Sequence, residues 1–171
     1  EKPFDGINGS GKHNNWSLTT DDGINLFKPG KEPENNKVFQ LVLACLMSAV
    51  DKHAVLLRTA ASNTGNDHRL GANEAPPAII SIYLGDQVGD VVDQIIKTGK
   101  ATSSLHSGVI DFGINKLPVL EKDPTDRNRT SPFAFTGNRF EFRMVASSNS
   151  IGDTNTVLSA MMAEAFADAI D

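Results

Sequence analysis

The chain has 171 residues, enough for one domain or a large piece of one with a core of its own. It is 39% apolar and 22% charged, an ordinary globular composition, and its net charge of −5 argues against nucleic acid as a partner. No uninterrupted apolar stretch approaches the roughly 18 residues of a membrane span, and a single cysteine, Cys45, excludes an internal disulfide framework.

In chain order, residues 5–15 form a polar loop rich in Gly and Asn, and Trp16-Ser17-Leu18-Thr19 is a short strand candidate. Residues 20–33 carry Asp-Asp-Gly and Lys-Pro-Gly turn signals. From Asn36 to about Thr59, Val38, Leu41, Val42, Cys45, Leu46, Ala49, Val50 and Leu57 recur at helical spacing, which predicts a long, largely buried helix. Cys45 falls inside it as a small core residue. Residues 60–77 form a second polar loop, long for a connector, and loops of that length are usually functional or disordered. Ala78 to Leu84 reads as a buried strand, and Asp86 to Lys97 as an amphipathic helix. Residues 99–136 show little periodicity, with a charged stretch from Glu121 to Arg129 expected to loop into solvent. Gly152 to Ile170 is an Ala- and Met-rich helix. The chain opens without Met and stops within this helical pattern, so a fragment of a larger polypeptide is expected. There is no secretory signal at its start, and the Asn-x-Ser/Thr triplets at Asn8, Asn15 and Asn128 are read as chance or as site chemistry.

Residues 139–145 alternate charged and apolar without a break. On a strand, Arg139, Glu141 and Arg143 share one face, with neighbours roughly 7 Å apart, while Phe140, Phe142 and Met144 enter a core. Two guanidinium forks with a carboxylate between them suit an anionic ligand and a cation. A solvated strand face with a local salt bridge would give the same pattern. If the face is functional, Glu141 should be removable without loss of melting temperature. Gly6 to His13 nearly matches a phosphate-binding P-loop, but His13 stands where Ser or Thr should hold Mg²⁺, and neither a buried strand before it nor a helix start after it is present. In the second loop, Arg69 and Glu74 stand among small residues, and Arg127 and Arg129 form a further basic pair.

Taken in order, Asn8-Gly9-Ser10-Gly11-Lys12-His13, Arg69 through Glu74-Ala75-Pro76, Asn128-Arg129-Thr130 and Arg139-Phe140-Glu141-Phe142-Arg143 resemble the C-terminal half of the catalytic domain of glutamine synthetase. Lys12-His13-Asn14-Asn15-Trp16-Ser17 and Asn66 through Pro77 are similar to the long bacterial form called type III. The resemblance runs over residues 1–171, with residues 84–126 as an insertion relative to shorter relatives. It implies an α+β fold in which antiparallel strands line the active site and helices pack behind.

The resemblance also implies a cytoplasmic ligase that makes L-glutamine from L-glutamate, ammonium and ATP. It would work through a gamma-glutamyl phosphate, with two Mg²⁺ or Mn²⁺ ions per complete site, in a homo-oligomer that is a dodecamer. By resemblance, Asn8 and Gly9 bind glutamate, Arg69 grips its carboxylate, and Ser17, Arg129 and Arg139 contact the nucleotide. His13 and Glu141 ligate one metal ion. Glu74 accepts the ammonium proton, and Arg143 neutralises charge at the glutamate and the transferring phosphoryl. Asn15 and Ala134 stand where many relatives have a His and an Arg, and the family's other metal carboxylates lie upstream of Glu1. A related gamma-glutamyl–amine ligase and a catalytically inactive homologue are the alternatives.

Overall fold

The alternating segment is the centre of a sheet. The computed structural model describes residues 4, 11–65, 80–105, 109–110, 120–121 and 131–170. Strand β6 (Phe140–Ala146) lies between β1 (Gly11–Trp16) and β5 (Phe133–Phe135), antiparallel to both. β2 (Ile82–Tyr83) adds to β5 in parallel, giving the order β1-β6-β5-β2. The sheet is therefore mixed: β1, β6 and β5 pair antiparallel, as expected of the strands lining the site, and β2 joins in parallel. A hairpin of β3 (Val109–Ile110) and β4 (Leu120–Glu121) stands apart from this sheet, so the charged stretch expected in solvent begins on a strand.

Among the described residues three helices accompany the sheet in an α+β fold: α1 (Lys37–Ala61), α2 (Gly85–Thr98) and α3 (Gly152–Asp168). α1 starts where Asn36 caps it, its side chain accepting the Phe39 backbone N–H at 3.0 Å. It bends at His53, whose backbone leaves helical geometry. α2 stops at Gly99, whose φ of 79° is left-handed and lets its N–H reach the Ile95 carbonyl.

α1 packs on α3, and their inner faces meet the apolar face of β5 and β6 in one core. Phe133, Phe140, Phe142 and Met144 are fully enclosed there, each burial worth about 1.5–3 kcal/mol. Phe140 is the aromatic hub, with ring centroids 5.0 Å from Phe133, 5.1 Å from Phe27 and 5.3 Å from Phe135. By length and composition α1 passes as a membrane span. Within it Phe39, Leu43, Leu46 and Leu57 are enclosed in the core. Burial also pushes the Cys45 thiol pKa up, as suits an inert core thiol. Val38 and Leu41, expected inside, are exposed, as are Val55 and Leu56 further along. Val88 and Val91 of α2 are buried, so the part of residues 84–126 that forms α2 contributes to the interior.

β1 begins earlier than the Trp16–Thr19 strand expected from sequence and ends at Trp16. Residues 11–16 lack an apolar run, and Asn14 and Trp16 are their buried positions. Pairing with β6 makes this segment a strand, where its own composition suggested a loop. Beyond it, Thr19 bridges to Asn25 around a turn at Gly23, so Asp21 and Asp22 sit in that turn. Of the buried strand expected over Ala78 to Leu84, the described residues show β2, and its side chains are half-buried.

Candidate active site

Three of the sequence-selected residues meet on the outward face of β1 and β6. The register runs Trp16↔Phe140, Asn15↔Glu141 and Asn14↔Phe142. It then shifts, resuming at Lys12↔Val145, so that Arg143 and Met144 together face His13. Such bulges re-aim side chains and interrupt regular pairing. His13 Nδ1 lies 2.5 Å from Glu141 Oε1. Arg143 Nη2 donates to the other oxygen, Oε2, at 3.1 Å.

Burial is graded along the charged face. Arg139 is exposed, Glu141 is half-buried, and Arg143 is 2% exposed. A plain solvated face would not enclose a guanidinium. Arg143 is held there by its backbone N–H to the Pro132 carbonyl at 2.8 Å and by Nη1 to the Ser131 carbonyl at 3.2 Å. The short β5 strand, which periodicity did not reveal, follows directly from these two carbonyls.

Arg139 closes the β5–β6 hairpin, where Thr136 N–H donates to the Arg139 carbonyl at 2.9 Å and Gly137 takes a φ of 92°. Ser17 lies just beyond the Trp16↔Phe140 pair, at the same end of the strands. Its hydroxyl donates to Asn25 Oδ1 at 3.0 Å, and the Asn25 amide donates to the Asn138 carbonyl at 2.8 Å. Ser17 and Arg139 therefore mark one end of the strand pair, and His13, Glu141 and Arg143 lie further along it. Asn8, Gly9, Arg69, Glu74 and Arg129 lie outside the described residues.

An imidazole nitrogen and a carboxylate oxygen from different strands, converging at one point, suit a cation that accepts mixed ligands, Mn²⁺ more readily than Mg²⁺. Among the described residues no third His, Cys, Asp or Glu joins them. Octahedral ions take about six ligands, so the pair fits as part of a coordination sphere. Buried Asn14 is a residue that sequence reasoning missed: its amide donates to Asn155 Oδ1 of α3 at 2.8 Å. An isolated Asn in a polar run gives no signal of this.

No family model matches the chain. It is similar to a type-3 glutamine synthetase of Dictyostelium discoideum, 56% identical over 164 residues, which is 96% of this chain and 22% of that protein. A glutamine synthetase of Bacteroides fragilis (strain YCH46) is 51% identical over 95% of the chain and 23% of its own length. Another, from Butyrivibrio fibrisolvens, is 52% identical over 82% of the chain and 20% of its own length. The chain thus spans about a fifth of the length of the curated relatives it matches. Identity above one half along nearly all of its residues places this chain in the glutamine synthetase family.

Proposed function

We propose that these 171 residues form one part of the active site of a glutamate–ammonia ligase that makes L-glutamine from L-glutamate, ammonium and ATP. The observation that supports the reading most is the meeting of His13 and Glu141 at 2.5 Å, with Arg143 on the far carboxylate oxygen. His13 and Glu141 would hold one Mg²⁺ or Mn²⁺ ion, and residues elsewhere in the protein would complete that site and a second one. When bound, such ions neutralise charge on transferring phosphoryl oxygens. Ser17 and Arg139 would contact the nucleotide at their end of the strands, together with Arg129. Asn8, Gly9 and Arg69 would hold the glutamate. Arg143 would lower the cost of negative charge beside it as the gamma-glutamyl phosphate forms. Glu74 would take the proton that ammonium must lose before it attacks.

Residues 84–126 would be a family-specific insertion within this partial catalytic domain. The reading also extends to a cytoplasmic protein and a large homo-oligomer, a dodecamer by family resemblance.

The test is glutamine formation by the full-length protein from ATP, glutamate, ammonium and Mn²⁺. His13→Ala and Glu141→Ala should each lose most activity and weaken Mn²⁺ binding. Glu74→Ala should still bind ATP and glutamate while making little glutamine. Wild-type activity in His13→Ala and Glu141→Ala would sink the reading, and faster turnover with a larger amine than with ammonium would move it to a gamma-glutamyl–amine ligase.

A further inference from the structure

We infer that Asn14 is a positioning residue that, through Asn155, holds His13 against Glu141. The inference rests on the proposed metal role of that pair. His13 occupies the point where two residues of β6 face one of β1, so regular backbone pairing constrains it less than its neighbours. Its side chain is itself about one-third exposed, so packing does little to fix it. What fixes the strand lies on either side. Asn14 points to the opposite face, is 3% exposed, and donates to Asn155 Oδ1 at 2.8 Å near the start of α3. Lys12 Nζ donates to the Asn149 carbonyl in the turn before α3. Asn149 in turn accepts from Asn63, just past α1, at 2.7 Å. Both neighbours of His13 are thus tied to the same stretch of chain, Lys12 to the turn that leaves β6 and Asn14 to the first turns of α3 that follow it.

The two ties differ in strength of specification. Lys12 has a long, flexible stem and is half-buried. Asn14 is short and enclosed, and it stands across from Phe142 on the core face, where an apolar side chain would be the default. A buried amide there is satisfied only when its partner is correctly placed. It therefore selects a single register and a single height of β1 over α3. Residues that orient a metal ligand from behind typically change metal affinity by about 10–100-fold.

The experiment is Mn²⁺ titration of the full-length protein, read by the spin-resonance signal of free Mn²⁺, alongside thermal unfolding. Asn14→Leu and Asn155→Leu should each weaken Mn²⁺ binding about tenfold, with no further loss when combined. The unfolding midpoint of Asn14→Leu should stay near or above wild type, since Leu suits that buried position, whereas Asn155→Leu should lower it somewhat by leaving the enclosed Asn14 amide without its acceptor. Asn155→Asp keeps the acceptor oxygen and should retain the affinity. His13→Ala is the reference for loss of the ligand itself. If the Leu variants keep wild-type Mn²⁺ affinity while His13→Ala loses it, Asn14 is merely structural and the inference is overturned. Equal loss in Asn155→Asp and Asn155→Leu overturns it too. Unchanged affinity in His13→Ala would remove the metal reading, and this inference with it.

Discussion

Arg143 Nη2 stands 3.1 Å from Glu141 Oε2, and the arginine is the deeper of the two, with 2% of its side chain exposed against 15%. The carboxylate therefore does structural work beside its proposed metal role, and the expectation that Glu141 could be removed at no cost to stability is reversed. Glu141→Ala takes from an enclosed guanidinium one of its charged partners. It should cost about 2 kcal/mol of stability, besides weakening Mn²⁺ binding. Denaturant unfolding of wild type and variant would check this, and a variant as stable as wild type would show that Arg143 does not depend on Glu141.

Phe140→Ala should be more damaging, at about 3–5 kcal/mol. Its ring lies within 5.3 Å, centroid to centroid, of Phe27, Phe133 and Phe135, so truncation opens a cavity bordered from several elements. Phe140→Leu should recover much of the loss. Equal midpoints for Phe140→Ala and wild type in urea would contradict the placement of the core.

A pH-dependent tie joins α1 to α3. Lys52 Nζ meets Glu164 Oε1 at 2.5 Å and Asp168 Oδ2 at 3.2 Å. The Lys52 hydrogen bond holds the Glu164 carboxyl below the usual carboxylate range, and the Glu164 and then Asp168 hydrogen bonds hold the Lys52 ammonium above the usual lysine range. Glu164 binds its proton less readily when folded. Its contribution is therefore present above the ordinary carboxylate range and lost as pH falls through the lowered folded value. The Lys52 contribution is full below the ordinary lysine range and lost as pH rises through the raised one. Lys52→Met should slightly lower the hydrogen-exchange protection of α3 at neutral pH. The effect is small because all three side chains are well exposed and screened by salt. The gap from wild type should close in acid, and a gap that persists there would show that Lys52 acts by packing.

Residues 1–171 expressed alone should make no glutamine. His13 and Glu141 supply two donors, and among the described residues no other acid joins them. Exposed Val38, Leu41, Val55 and Leu56 on α1 should also make the piece prone to aggregate. Turnover above background with ATP, glutamate, ammonium and Mn²⁺ would show that the chain carries a whole site.

The helices were legible because each is long enough for its period to show: apolar positions in α1 repeat over 25 residues. The start of that pattern misled, since Val38 and Leu41 fit the period yet lie on the outer side. β6 was legible from its alternation, including which side Phe140 and Phe142 take. β1 was not, because Gly11 to Asn15 carry no strand signal and owe their conformation to a partner far along the chain. That Glu141 and Arg143 share a face was legible, but the burial of Arg143 follows from the bulge and from the Ser131 and Pro132 carbonyls, which leave no trace in residue order. Alternation shows which face a side chain takes and is silent on its depth.

The pairing of β1 with β6 also has a consequence in time. Helices form in about a microsecond from neighbours in sequence, but β1 has no fold until residues 140–146 exist to receive it. During synthesis His13 emerges long before Glu141 and waits until residues 140–146 have followed it. Closing so long a loop slows folding far more than it weakens the final state. The site should thus be among the last features to assemble, and any premature stop before Phe140 leaves its first half without a second.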